Sequence, residues 1–148
     1  MDILSINKKT ITLQPDYNKL IEYSIKARKF SYSPYSKFSV GAAVLTKDNK
    51  IFTGANIECA SYSLCICAER VAYSKAVSEG YKKFTAVAIS SSAKDYTFPC
   101  GACRQFMSEF GTDTEILIIK TKNLVRTFKL AELIPGVFDK KYLLNLKK

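Results

Sequence analysis

The chain has 148 residues, nearly half of them apolar and about a quarter charged, and its 23 Lys and Arg against 13 Asp and Glu give a net charge of +10. At that length it folds as a single domain, residues 1–148, burying about two thirds of its unfolded surface, so it needs neither disulfide nor metal merely to stay folded. It contains no histidine, which excludes Ser-His-Asp hydrolysis, Cys-His proteolysis and His-ligated metal sites, and leaves carboxylate, Tyr, Lys or Cys as general acid or base.

Residues 1–14, MDILSINKKTITLQ, lack the basic start, apolar core and small-residue cleavage site of a signal peptide and read as an N-terminal extension. The spacing of Tyr17, Leu20, Ile21 and Ile25 predicts a helix opening at Pro15, and SYSPYS ends it in a turn. FSVGAAVLT and IFTGANI predict two strands joined at Lys47–Lys50 as a hairpin. A helix follows from Cys67 to Glu79 with Gly80 as its stop, and TAVAISSS reads as a buried strand. After Cys100, the positions of Cys103, Phe106, Met107 and Phe110 are helical, with Gly111 closing the segment. EILIIK and VRTFKL predict two more strands, and LAELIP a short terminal helix. The alternation predicts an α/β layered domain with helices packed on a mixed sheet of about five strands. Strand order does not follow from periodicity.

No stretch has the apolar length of a membrane span. A cytoplasmic, reducing location is expected, where five cysteines are metal or catalytic thiols rather than staples. The lysines are dispersed and the aromatics do not interleave with arginines, so the positive charge reads as a solvated surface and no nucleic-acid partner is expected.

Cys67 and Cys100 each stand where a helix begins, and Cys103 lies one turn into the second helix on the face of Cys100. Helix N-termini favour thiolate over thiol. Three thiolates so placed can hold zinc tetrahedrally and leave its fourth position open for a water. Glu69, two residues after the first thiol, is placed to shuttle a proton. Zinc with three thiolates sums to −1, and Arg70 can offset that charge by hydrogen bonding to sulfur. Two further cysteines keep another reading open: Cys65 with Cys67, Cys100 and Cys103 would make a closed, purely structural zinc, whereas as core residues Cys59 and Cys65 would leave the site open. The pattern Cys67-Ala68-Glu69 with Pro99-Cys100-Gly101-Ala102-Cys103 is the three-cysteine form of the zinc nucleobase deaminase signature, whose chemistry replaces the amine at C4 of cytosine or C6 of adenine.

From about Asp16 to Phe138 the chain resembles the small homotetrameric cytidine deaminases of nucleoside salvage, through SPYSKFSVGAAV, GANIECASY, CAERVA and FPCGACRQFMSEFGT in family order. The resemblance implies a three-layer α/β/α fold and one Zn²⁺ per subunit on Cys67, Cys100 and Cys103, with Glu69 as proton shuttle. It further implies that Asn56 and Glu58 bond the ribose 3′-hydroxyl, that Phe38 packs on the pyrimidine and that Ala68 offers backbone to the base. Tyr62 and Phe138 would then sit at subunit boundaries and help build a neighbour's pocket. The implied reaction is hydrolytic deamination of cytidine and deoxycytidine to uridine and deoxyuridine. Polynucleotide-editing relatives usually carry histidine as first ligand, so Cys67 favours a free nucleoside. A related aminopyrimidine nucleoside or nucleoside antibiotic is the alternative substrate, and an RNA-binding or editing deaminase, raised by the charge of +10, is a remoter alternative.

Overall fold

The structure of the protein, a computed structural model, describes residues 15–144; the N-terminal extension expected at residues 1–14 lies outside the described residues. Helix α1 runs Pro15–Ala27 and a single 3-10 turn, Arg28–Phe30, completes it before the Ser/Tyr-rich bend. The hairpin follows as β1 (Val40–Thr46) and β2 (Ile51–Ala55), with Asn49 in its turn at φ 58°. Then come α2 (Ala68–Ser78), β3 (Phe84–Ser91), α3 (Gly101–Ser108), β4 (Glu115–Thr121), β5 (Leu124–Lys129), α4 (Leu130–Leu133) and α5 (Lys140–Leu144). Gly80 and Gly111 both take positive φ just beyond the two middle helices, the conformation a helix stop requires.

One sheet of five strands in the order β2-β1-β3-β4-β5 organises the chain. Its β3–β4 pair is parallel and the other neighbours antiparallel, so the sheet is mixed. Alternation along the strands divides the core in two. Ala43, Leu45, Ala86, Ala88, Leu117 and Ile119 point to one face, where Leu20 and Ile21 of α1 cover them. Val40, Ala42, Val44, Val87, Ile89, Ile116 and Ile118 point to the other, where Ala68, Ala72, Tyr73 and Ala76 of α2, Cys103 and Met107 of α3 and Leu130 of α4 pack on them. The result is the three-layer α/β/α arrangement. β1 and β3 lie at the centre and are buried almost throughout, which explains why their sequences run apolar rather than alternate.

Several element ends differ from the periodicity, and one helix was not expected. The strand predicted from Phe38 begins at Val40: Lys37 turns to φ 57° just before it, and Ser39 meets the chain just past β3 through its carbonyl, which accepts the Ser92 amide at 2.9 Å. The last helix, α5, has no apolar face in contact with the core, and so no periodic signal announced it.

Candidate active site

Two helices begin on cysteine. Cys67 is the N-cap of α2 at φ −74°, ψ 153°, and Cys100 the N-cap of α3 at φ −68°, ψ 166°, and in neither does the sulfur cap its own helix. Both thiols are therefore free to meet another partner while lying beside unpaired helical N–H groups. They meet each other, at 3.8 Å between Sγ atoms. With the buried Cys103 Sγ, the three sulfurs all lie within 4.8 Å of one another.

The donor set fits zinc. Four ligands at about 2.3 Å in a tetrahedron stand about 3.8 Å apart edge to edge. The Cys67–Cys100 separation of 3.8 Å has that value, and the other sulfur pairs, within 4.8 Å, need a contraction of at most about 1 Å. Cys65 does not join the group. Its Sγ is 3.3 Å from the Cys59 amide N, which donates to it, and 3.7 Å from the Cys59 carbonyl, so these two cysteines close their own loop. The four-thiolate alternative therefore lacks its fourth sulfur, and three thiolates leave one tetrahedral position open.

The charges around the cluster are matched to that role. The Cys67 thiol is pulled down to about 5, first by a hydrogen bond from the Cys103 thiol and then by Arg70 and Cys100. Cys103, the donor in that pair and buried, is pushed up instead. Arg70 donates from Nη2 to the Cys67 Sγ at 3.8 Å and to the Cys65 carbonyl at 3.4 Å, so it steadies the first cysteine in position and charge. Glu69 sits one residue into α2, 4% exposed, and burial raises its carboxyl to about 7. A carboxyl so poised can both accept and give a proton near neutrality.

Beside the cluster opens a cavity of about 460 Å³ lined by Tyr35, Ser36, Asn56, Ile57, Glu58, Tyr62, Cys65, Ile66 and Cys67. Its size suits one small organic molecule. Cys67 belongs both to this wall and to the sulfur cluster, so whatever fills the cavity reaches the metal site through it.

Asn56 and Glu58 stand in the wall just after β2, and their remaining hydrogen-bonding capacity can be counted. The Asn56 Oδ1 accepts from Ser31 Oγ at 2.6 Å and from the Val40 amide at 2.8 Å, while its Nδ2 donates to the Phe38 carbonyl at 2.8 Å. Both lone pairs are taken and one N–H remains. Glu58 Oε2 accepts the amides of Tyr35 at 3.0 Å and Ser36 at 3.2 Å, and Oε1 accepts the Ser36 hydroxyl, which leaves a lone pair on Oε1. One donor and one acceptor in the same wall can match a hydroxyl.

The remaining sequence-predicted residues divide. Tyr62, 74% exposed, lines the cavity and meets Tyr35 edge to face at 6.0 Å between ring centroids. Ala68 is buried at the first position of α2, behind Cys67. Phe38 is partly exposed at the turn before β1 and is not part of the wall. Phe138 is not brought to its own cavity either; it stacks on Tyr142 at the far end of the chain. Two residues escaped the sequence reading. Ser36 holds Glu58, and Arg104 donates from Nε to the Pro99 carbonyl and from Nη1 to the Leu133 carbonyl, each at 2.8 Å, fixing the turn that carries Cys100. Both stand inside the quoted motifs, but a serine in a turn and an arginine on a helix carry no signal of their own.

A family model for the cytidine and deoxycytidylate deaminase zinc-binding region matches residues 14–119. A Dictyostelium discoideum protein named probable cytidine deaminase is 46% identical over 132 residues, 88% of this chain and 89% of that one. The cytidine deaminase of Sporosarcina psychrophila is 44% identical over 126 residues, 84% of this chain and 93% of its own. The crystal structure of cytidine deaminase from Burkholderia pseudomallei superposes with a TM-score of 0.79 at 42% identity, covering 82% of this chain and 98% of that one. The matched stretch takes in both cysteine-headed helices and the first four strands of the sheet beneath them, and the chain belongs to the cytidine and deoxycytidylate deaminase family.

Proposed function

We propose that this protein hydrolyses cytidine and deoxycytidine to uridine and deoxyuridine with release of ammonia, in pyrimidine salvage in the cytoplasm, and that it works as a homotetramer. The observation that carries this reading is the position of Cys67, shared between the three-sulfur cluster and a cavity sized for one nucleoside.

Cys67, Cys100 and Cys103 would hold the ion. Zinc bound there would supply Lewis-acid activation of a water. In the net reaction a water oxygen takes the place of the amine at C4 and the C4–N4 bond breaks. Glu69 moves the protons: it takes one from the attacking water, delivers it to the ring nitrogen N3, and passes the next to the departing amine. Burial keeps its carboxyl near neutrality, so both transfers run without a large penalty.

The walls select the substrate. The free Asn56 N–H and the free Glu58 lone pair receive one sugar hydroxyl as acceptor and donor. The Glu58 carboxylate repels a phosphate, which favours a nucleoside over a nucleotide or a polynucleotide. Phe38 packs on the pyrimidine from the turn before β1, the Ala68 backbone faces the base, and Arg70 steadies Cys67. Tyr62 and Phe138, exposed here, would be covered by neighbouring subunits.

Ammonia release from free cytidine tests the reading, with zinc measured on the same samples of wild type and Glu69→Gln. The wild type is expected to turn over, and the variant to keep its zinc and lose activity by about 10²- to 10⁴-fold. A wild type fully loaded with zinc yet inert on cytidine and deoxycytidine would refute it.

A further inference from the structure

Among the contacts around the cavity, those of one serine join its two ends. The Ser36 hydroxyl donates to Glu58 Oε1 and at the same time accepts the Phe38 amide at 3.0 Å. The Ser36 amide adds a bond of 3.2 Å to Glu58 Oε2. Between Ser36 and Phe38 stands Lys37 at φ 57°, a conformation that a residue with a side chain rarely adopts. Something must hold that turn: the Lys37 amide donates to the Ser33 carbonyl at 3.1 Å, the Ser36 bridge ties the Phe38 amide, and Asn56 bonds the Phe38 carbonyl at 2.8 Å.

We propose that Ser36 is a positioning residue for the deaminase reaction: its hydroxyl fixes Glu58 toward the sugar and, through the Phe38 amide, fixes the Ser36–Lys37–Phe38 turn toward the base. The inference rests on the deaminase reading above and deepens it. Glu58 is half-exposed, and a free carboxylate there would rotate about its own χ angles. Three hydrogen bonds from residues 35 and 36 stop that rotation and draw its carboxyl below the ordinary carboxylate range, the Ser36 hydroxyl contributing most. They also consume all but one of its acceptor positions, so the last lone pair points where a single hydroxyl can use it. The geometry is set before substrate arrives.

A role in ground-state positioning has a kinetic signature. Removing the hydroxyl weakens substrate binding and leaves the proton transfers at Glu69 alone, so KM rises and kcat stays. Ser36→Ala is expected to raise KM for cytidine about tenfold with kcat within about twofold of wild type. The advantage of cytidine over its 3′-deoxy analogue in kcat/KM should shrink by a similar factor, because Glu58 Oε1, no longer tied by the Ser36 hydroxyl, meets the sugar hydroxyl less well. Ser36→Thr, which keeps the hydroxyl, should restore both. Thermal unfolding of each variant, recorded on the same preparations, separates a folding defect from a positioning one: a stable Ser36→Ala with unaltered KM and unaltered discrimination overturns the role. So does a fall in kcat at constant KM. Failure of the underlying reading looks different, since there the zinc-loaded wild type itself would not act on cytidine.

Discussion

Gly54, the fourth residue of β2, lies so close to the first turn of α2 that a Cβ on it would stand 2.5 Å from the amide nitrogen of Ala72. The contact is backbone on backbone, and neither side can yield by rotating a side chain. Since Cys67 and Glu69 open that helix, the depth at which α2 seats on the sheet sets where the thiol and the carboxyl stand.

Gly54→Ala should therefore act twice. Overpacking against the helix backbone is expected to cost about 3 kcal/mol, read as a lower urea midpoint with the slope unchanged. The surviving folded protein should also bind zinc more weakly and turn over more slowly, because the start of α2 is pushed away from Cys100. Normal zinc affinity in a destabilised Gly54→Ala would show that the seating of α2 does not control the site.

Much of this was legible in the sequence, for physical reasons that differ from place to place. The helices opening at Cys67 and Cys100 were visible because a glycine stop and an apolar spacing mark each of them, and the metal cluster because no histidine competes with the thiols. The sheet order was not, since β1 joins β2, its neighbour in sequence, on one side and β3 on the other through contacts that no local pattern encodes. The same holds for the fates of Asn56 and Glu58. The family resemblance, not their residue types, implied sugar binding, and that Asn56 spends both acceptor positions on Ser31 and Val40, and can only donate to a ligand, depends on a turn brought in from 16 or more residues away. Cys65 is the reverse case: spacing kept a fourth-ligand role open beside the core reading, and its packing on Cys59 removes it.

Arg104 carries the second prediction. Its guanidinium bonds the Pro99 carbonyl, immediately before Cys100, and the Leu133 carbonyl at the end of α4, each at 2.8 Å. The planar fork spans two carbonyls that lysine, a point donor, cannot reach together. Loss of the two bonds in Arg104→Ala is expected to cost about 2 kcal/mol of stability. Freed from its tether, the Pro99–Cys100 turn should also release zinc faster to a chelator, by about tenfold or more, and Arg104→Lys should recover less than half of the loss in free energy. Chelator-dependent loss of zinc, followed by a metal indicator, measures this directly. Equal release rates in wild type and Arg104→Ala would confine Arg104 to a general packing role.

The third prediction concerns assembly. Phe138 is 58% exposed and stacks on Tyr142 with ring centroids 5.3 Å apart and planes 11° from parallel, while its carbonyl accepts from Gln105 Nε2 on α3 at 2.7 Å. The segment is thus anchored to the helix that carries Cys103, yet Phe138 does not line the cavity of its own protomer. Tyr62, Leu64 and Phe30 are likewise exposed, at 74%, 67% and 83%. Large apolar side chains left open around a site are what a subunit boundary covers. If neighbours complete one another's cavities, then sedimentation should give a mass four times the 16.6 kDa of the chain, and specific activity should fall as dilution drives dissociation. Phe138→Ala should lower kcat/KM by about tenfold in the assembled protein, where a buried aromatic contact is lost, with zinc content unaltered. The decisive comparison is activity per subunit against sedimenting mass across a dilution series. Full activity in a protein sedimenting at 16.6 kDa would mean that each protomer builds its site alone, and the exposed aromatics would then need a different partner.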